Sequence, residues 1–366
     1  MHNNKLLTPS TQFMKLKNIA FYAALILVPL MLFSNCSQNS TKAEGTKTTA
    51  TTPATATAAK PTDTVPTTVT YPPLNKPLYD SLMKKLAHGD TTGRWPVKNA
   101  PYPVAGAILP FKRVVAYYGN LYSKKMGILG ELPPNEMLAR LHQEVLNWQK
   151  ADPSTPVQPA LHYIAVVASG DPGKDKMYRH RMPFKQIDTI LYLAKKAHAI
   201  VFLDIQVSLS NIRAELPLLE KYWEMPQVNM GMDPEFSMKD GTLPGKKIGT
   251  FDAADINYVS EYLAKVVEKY HLPPKILIVH RFTKKMVTNY KNIKLHKEIQ
   301  FVMNMDGWGE PDLKTGTYRN FIYPEPVQFT GFKLFYKNDI KKAPHHMLTP
   351  QEVLKYKPYP IYIQYQ

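Results

Sequence analysis

Eight short apolar runs, none strictly alternating with polar residues, punctuate the last two thirds of this chain, and helix-forming stretches separate them. The runs are Arg113–Gly119 (RVVAYYG), Leu161–Ala168 (LHYIAVVA), Ala199–Gln206 (AIVFLDIQ), Val228–Glu235 (VNMGMDPE), Lys275–Phe282 (KILIVHRF), Gln300–Gly307 (QFVMNMDG), Phe329–Tyr336 (FTGFKLFY) and Pro360–Gln366 (PIYIQYQ). Unbroken apolar character is the pattern of strands buried on both faces. Helical spacing marks Pro133–Lys150, Pro183–Ala197 and Asp252–Tyr270, with shorter helices expected at Asn211–Trp223, Thr283–Tyr290 and Thr349–Lys355. The alternation predicts an α/β chain, a (β/α)8 TIM-like barrel whose last strand lies at the C-terminus with no closing helix. Pro311–Pro326, between the sixth and seventh runs, has no clear helical pattern. An open doubly wound sheet is the alternative.

In such a barrel, alternate residues of each strand point inward and the chemistry sits where the strands end. By that parity Asp204 pairs with Gln206, Asp233 with Glu235, Asn304 with Asp306, and Gln364 with Tyr362. His280 falls in phase with Ile278 and Phe282, and either Tyr117 or Tyr118 completes the set from the first strand. Strand after strand ends polar, so these residues, with Lys333, Tyr336 and Trp308, are candidates to line a pocket mouth. Each also has a plainer use. Asp204 could cap the next helix, Asp233 before Pro234 could be a turn device, and His280 could be a hydrogen-bonded core residue.

The first seventy residues predict an address. Lys5, Lys15 and Lys17 precede a short apolar segment, Ile19 to Phe33, broken by Pro29; this is the layout of a secretion signal, with Met1 or Met14 as its start. The segment ends in Leu32-Phe33-Ser34-Asn35-Cys36, which resembles the lipobox of bacterial lipoproteins. The resemblance implies a signal peptide over 1–35 and lipid on Cys36, anchoring the chain to a membrane of the cell envelope, the outer membrane or surface by preference. Cys36 is the single cysteine, so the folded part has neither a disulfide nor a thiol nucleophile. Residues 37 to 70 hold thirteen threonines and little that can be buried, so 36–72 is expected to be a disordered stalk and 73–366 the barrel. Setting aside the three lysines of the signal takes the formal charge from +17 to +14. An exported chain this basic suits a glycan or another anionic envelope polymer, not nucleic acid. A monomer is expected.

Paired carboxylates at strand ends suit glycoside cleavage, in which one acid protonates the leaving oxygen and the other stabilises or attacks the anomeric carbon. Glu235 is the candidate acid, with Asp204 or Asp233 as second carboxylate; Tyr117, Gln206, His280, Asn304, Asp306, Trp308, Lys333, Tyr336 and Gln364 are candidate substrate contacts. Gly231-Met232-Asp233-Pro234-Glu235 resembles the tail of the Asp-x-Glu motif of chitinase-type glycoside hydrolases, and Met303-Asn304-Met305-Asp306 resembles a later motif of that family, with Met305 in place of its tyrosine. That resemblance implies roles for Asp233 and Glu235 only. Over most of its length, through YYG, LDIQ, DPEF, HRF and GFKLFY, the chain resembles uncharacterised barrel lipoproteins of Bacteroidetes type, which imply no activity.

Two other functions stay open. One is a non-catalytic glycan-binding or scaffolding lipoprotein. The other is a metal-dependent hydrolase using Asp204, Asp233, Glu235 and His280. The chain has no Gly-rich phosphate loop, no dinucleotide fingerprint and no Gly-x-Ser-x-Gly elbow, so no cofactor is expected.

Overall fold

A computed structural model describes residues 70–366; the signal segment, Cys36 and the threonine-rich stretch up to residue 69 lie outside the described residues. Eight strands pair in parallel and close on themselves: β1 Arg113–Gly119, β2 Val157–Ala168, β3 Ile200–Ile205, β4 Val228–Met232, β5 Lys275–Arg281, β6 Ile299–Met305, β7 Phe329–Leu334 and β8 Tyr362–Tyr365. Closure comes from β1, which pairs with β8 on one side and β2 on the other. This is the (β/α)8 barrel. A short segment, Arg179–Arg181, adds to β2 in antiparallel fashion outside the ring.

The pleat divides each strand between two cores. Val114, Ala116, Ala160, Ile200, Phe202, Ile276, Ile278, Val302, Phe329 and Tyr362 pack together inside the barrel. Their neighbours, such as Val115, Leu161, Val201, Leu203, Leu277, Phe301 and Ile363, pack outward against the helices. Two apolar faces explain why the runs show no alternation.

The lower opening of the barrel is filled. Helix Lys76–Leu86 drives Tyr79 and Met83 into the interior cluster, beside Leu109 and Ile361. Gln300, inward at the start of β6, accepts from the backbone N–H groups of Ile108 and Leu109 at 3.1 Å each and donates to the Leu109 carbonyl at 2.5 Å. One buried amide thus satisfies three backbone groups of the loop that crosses the floor.

The long helices Pro134–Ala151, Phe184–Lys196 and Ala253–Tyr270 lie within a residue or so of their expected bounds. Asp252 and Asp255 form a capping box at the start of the last, and His271 closes it in the left-handed region at φ 50°. Two segments differ from expectation. Residues 283–290 form no α-helix: single 3-10 turns at Lys284–Met286 and Tyr290–Asn292 flank a two-residue bridge, Val287–Thr288, and Asn289 at φ 55° breaks any continuous helix. Conversely, Pro311–Thr317 is helical and runs on as a π-turn, Tyr318–Ile322. Thr315, Gly316 and Thr317 mask it by poor propensity, while buried Tyr318 holds it down, its hydroxyl donating to the Pro358 carbonyl and accepting from the Thr330 hydroxyl, each at 2.8 Å. No helix among the described residues is long and apolar enough to cross a membrane.

Candidate functional site

At the C-terminal ends of the strands the interior changes from apolar to charged. β3 brings Asp204 inward and, one residue beyond its end, Gln206; β5 brings His280, β6 Asn304 and then Asp306, β7 Lys333, and β8 Gln364. All are buried, and Asp204, His280, Asn304 and Gln364 have no exposed surface.

The groups form one connected network. His280 Nδ1 lies 3.0 Å from Asp306 Oδ2, and Lys333 Nζ lies 2.8 Å from Asp306 Oδ1. The same ammonium sits 3.9 Å from the centre of the Tyr118 ring. Tyr118 donates its hydroxyl to Asp204 Oδ2 at 2.9 Å. Gln206 donates to Asp233 Oδ2 at 3.0 Å, while its carbonyl oxygen accepts from the Ala168 backbone N–H at 3.0 Å.

Asp233 and Glu235 do not continue a strand. β4 ends at Met232, and Pro234–Phe236 is a 3-10 turn in which Asp233 Oδ1 accepts from the Glu235 N–H at 3.1 Å. Asp233 is therefore both the turn device and a member of the ring, one oxygen for each task. The turn leaves Glu235 half-buried, within electrostatic reach of Asp233, Asp306, Lys333 and His280.

The environments push these carboxyls apart. Burial would lift Asp306, yet the charges of Lys333 and His280 hold it down at about 2. Asp204 is likewise held below the ordinary range: burial opposes ionisation, but His280, His162 and the Tyr118 hydroxyl prevail. Burial raises Asp233 to about 7 and Glu235 to about 8, the latter helped by the negative charges of Asp233 and Asp306. The ring thus sets a protonated Glu235 and a half-titrated Asp233 beside ionised Asp204 and Asp306 at neutral pH.

Two expected contacts belong elsewhere. Tyr117 and Tyr336 face the helix layer: their hydroxyls meet at 3.0 Å, Tyr336 donates to Glu144 at 2.8 Å, and Tyr336 stacks on Tyr365. In the Tyr117-Tyr118 pair, the pleat sends Tyr118 inward and Tyr117 out. Trp308, two residues past Asp306, is 47% exposed, its ring 5.8 Å from Lys341 Nζ.

One buried residue escaped the sequence reading. His162, in the middle of β2, points inward with no exposed surface, its ring stacked on Phe202 and its Nδ1 hydrogen-bonded to the Tyr362 hydroxyl at 2.6 Å. Its parity with Ala160 was the available signal, but attention to strand ends passes over it. Burial keeps this ring neutral, with its pKa down at about 4. With Asp204 and His280 it makes a group of three possible metal-ligating side chains. Of the four residues considered for a metal from sequence, Asp204 and His280 share that group.

Beside the ring, a cleft of about 450 Å³ opens past the ends of β1 and β2, lined among others by Asn120, Tyr122, Ala168, His180 and Arg181. Ala168, which donates to Gln206, is common to cleft and ring.

No family model matches this chain, and no curated protein matches it. Among solved structures, one described as Cellulase Cel5C_n matches with a TM-score of 0.34 and 12% sequence identity, over 60% of this chain and 65% of that one. The chain therefore spans just under two thirds of that structure's length.

Proposed function

We propose that the barrel is a glycoside hydrolase of the cell envelope, with Glu235 as general acid. The observation that carries this is the setting of Glu235: a half-buried carboxyl just past the end of β4, kept protonated by burial, with ionised Asp306 and the titrating Asp233 as its carboxylate neighbours. Glycoside cleavage asks for that division between a proton donor and an anion that stabilises positive charge. Asp204 has no exposed surface, so its part is to hold the Tyr118 hydroxyl, and the second carboxylate falls to Asp233 or Asp306. The adjoining cleft, with Tyr122 68% exposed, offers a platform for a sugar ring.

The same proposal includes the address. A lipid on Cys36 would hold the chain at an envelope membrane, with its excess of lysine and arginine drawing it to anionic glycan or polymer. Labelling with radioactive palmitate in the producing cell, lost on Cys36→Ser, tests the anchor.

For the activity, the purified chain is screened for release of reducing ends from a panel of neutral and acidic glycans. Glu235→Gln should abolish turnover and leave binding largely intact. A wild-type chain that binds glycans but cleaves none would make it a binding protein instead.

A further inference from the structure

We propose that His162, Asp204 and His280 bind one divalent transition-metal ion inside the barrel, through His162 Nε2, Asp204 Oδ1 and His280 Nε2. Asp204 Oδ1 stands 3.7 Å from each of the two nitrogens, and all three atoms lie within 4.8 Å of one another. These separations are too long for hydrogen bonds. Each of the three atoms is fully buried and without a hydrogen-bond partner. Leaving a buried polar atom unpaired is costly, and here three such atoms face one point. A cation at that point would satisfy all of them together.

The remaining atoms of the same side chains are already engaged, as they are around bound metals. His280 Nδ1 is held by Asp306 Oδ2 at 3.0 Å. His162 Nδ1 is hydrogen-bonded to the Tyr362 hydroxyl at 2.6 Å and contacts the Gln364 amide at 3.1 Å. Asp204 Oδ2 takes the Tyr118 hydroxyl at 2.9 Å. Both rings therefore turn their Nε2 atoms, and the carboxylate its Oδ1, toward the shared centre.

Backbone geometry keeps that centre clear. Gly231, on the adjacent strand, has no Cβ; one placed there would collide with both Asp204 Oδ1 and His162 Nε2. For bonds of about 2.0–2.1 Å to zinc, tetrahedral ligand atoms stand roughly 3.3 Å apart; the two 3.7 Å separations to Asp204 close by a few tenths of an ångström, and the two Nε2 atoms, within 4.8 Å of each other, swing inward by the remainder. Two imidazoles and one carboxylate favour zinc or a neighbouring transition metal over calcium or magnesium, which prefer all-oxygen sites. The site shares Asp204 and His280 with the charged ring but uses neither Glu235 nor Asp233 as a ligand, so metal binding and glycan turnover are read out separately.

The test uses the intact chain, stripped with chelator and titrated with Zn2+ by calorimetry and with Co2+ by visible absorption. One equivalent of Zn2+ per chain, a raised melting temperature and the absorption bands of low-coordinate Co2+ are expected. His162→Gln and His280→Gln should each weaken binding at least a hundredfold, whereas His345→Gln with His346→Gln, in an exposed loop, should not. No binding by the wild type at millimolar Zn2+, or binding that survives both core substitutions, would overturn the proposal. Should the core variants fail to fold, the wild-type stoichiometry and Co2+ spectrum decide alone.

Discussion

Gly231 and Asp204 lie side by side on adjacent strands, paired in register, so close that any side chain on the first would displace the carboxylate of the second. Gly231→Ala should therefore cost on the order of 1–3 kcal/mol, the usual range for overpacking a filled interior. Urea unfolding of the two chains measures it. An unchanged midpoint would mean that Asp204 and His162 can part without loss.

Glu235 makes a prediction whose sign differs between stability and turnover. Its folded pKa, about 8, lies above the ordinary glutamate value of 4.5. Between those limits the native state keeps a proton that the unfolded chain has released, so stability falls as pH rises through that window. Glu235→Gln removes this slope. The variant should melt higher than the parent at pH 9 and converge on it near pH 4. Turnover by the parent should decline as pH passes about 8, because the donor has lost its proton. Melting curves and rate profiles across pH 4–10 test both halves.

Asp152 works in the opposite sense. Burial would raise its carboxyl, but hydrogen bonds from Ser154 and Thr155 and the charges of Arg113 and Lys85 hold it well below the usual carboxylate range. Arg113, 1% exposed and lying over the Trp148 ring, pairs among the described residues with Asp152 alone, at 3.1 Å. A depressed native pKa contributes stability above the unfolded value and loses it as pH falls. Asp152→Asn should cost about 3 kcal/mol at neutral pH, the scale for stranding a buried charge, and the gap should narrow below about pH 4. Denaturation at pH 7 and pH 3 checks the pair of values.

Adjacent tyrosines should separate cleanly. Tyr117→Phe removes a hydroxyl contact with Tyr336 in the helix layer, at a cost of about 1 kcal/mol and with no change in glycan affinity. Tyr118→Phe strips Asp204 Oδ2 of its donor, costing about 1.5–3 kcal/mol because the acceptor is charged. Equal effects on affinity would contradict the assignment of faces.

The eight strands were legible because each is wrapped in apolar neighbours on both sides, which leaves a run that cannot be read as anything but buried. The inward parity of Asp204, His280, Asn304, Asp306 and Gln364 followed from those strands. Parity was ambiguous where two like residues adjoin: nothing in Tyr117-Tyr118 says which ring turns inward, and the pleat decides it. His162 was hidden by its company. A polar residue inside LHYIAVVA looks like an interruption until one knows that Tyr362 and Gln364 reach it from two hundred residues away. The helix expected over 283–290 failed because Val287 is extended and pairs, with Thr288, against Phe251–Asp252, a long-range choice that apolar spacing does not report.

The Gln300 clamp makes the barrel a cup, not a tube. Whatever arrives at the charged ring must come and go by the same door, so a long polymer could be engaged along its flank or by its tip but never threaded through. Substitutions under the base would be felt as lost sturdiness, and changes in appetite would have to be sought around the brim.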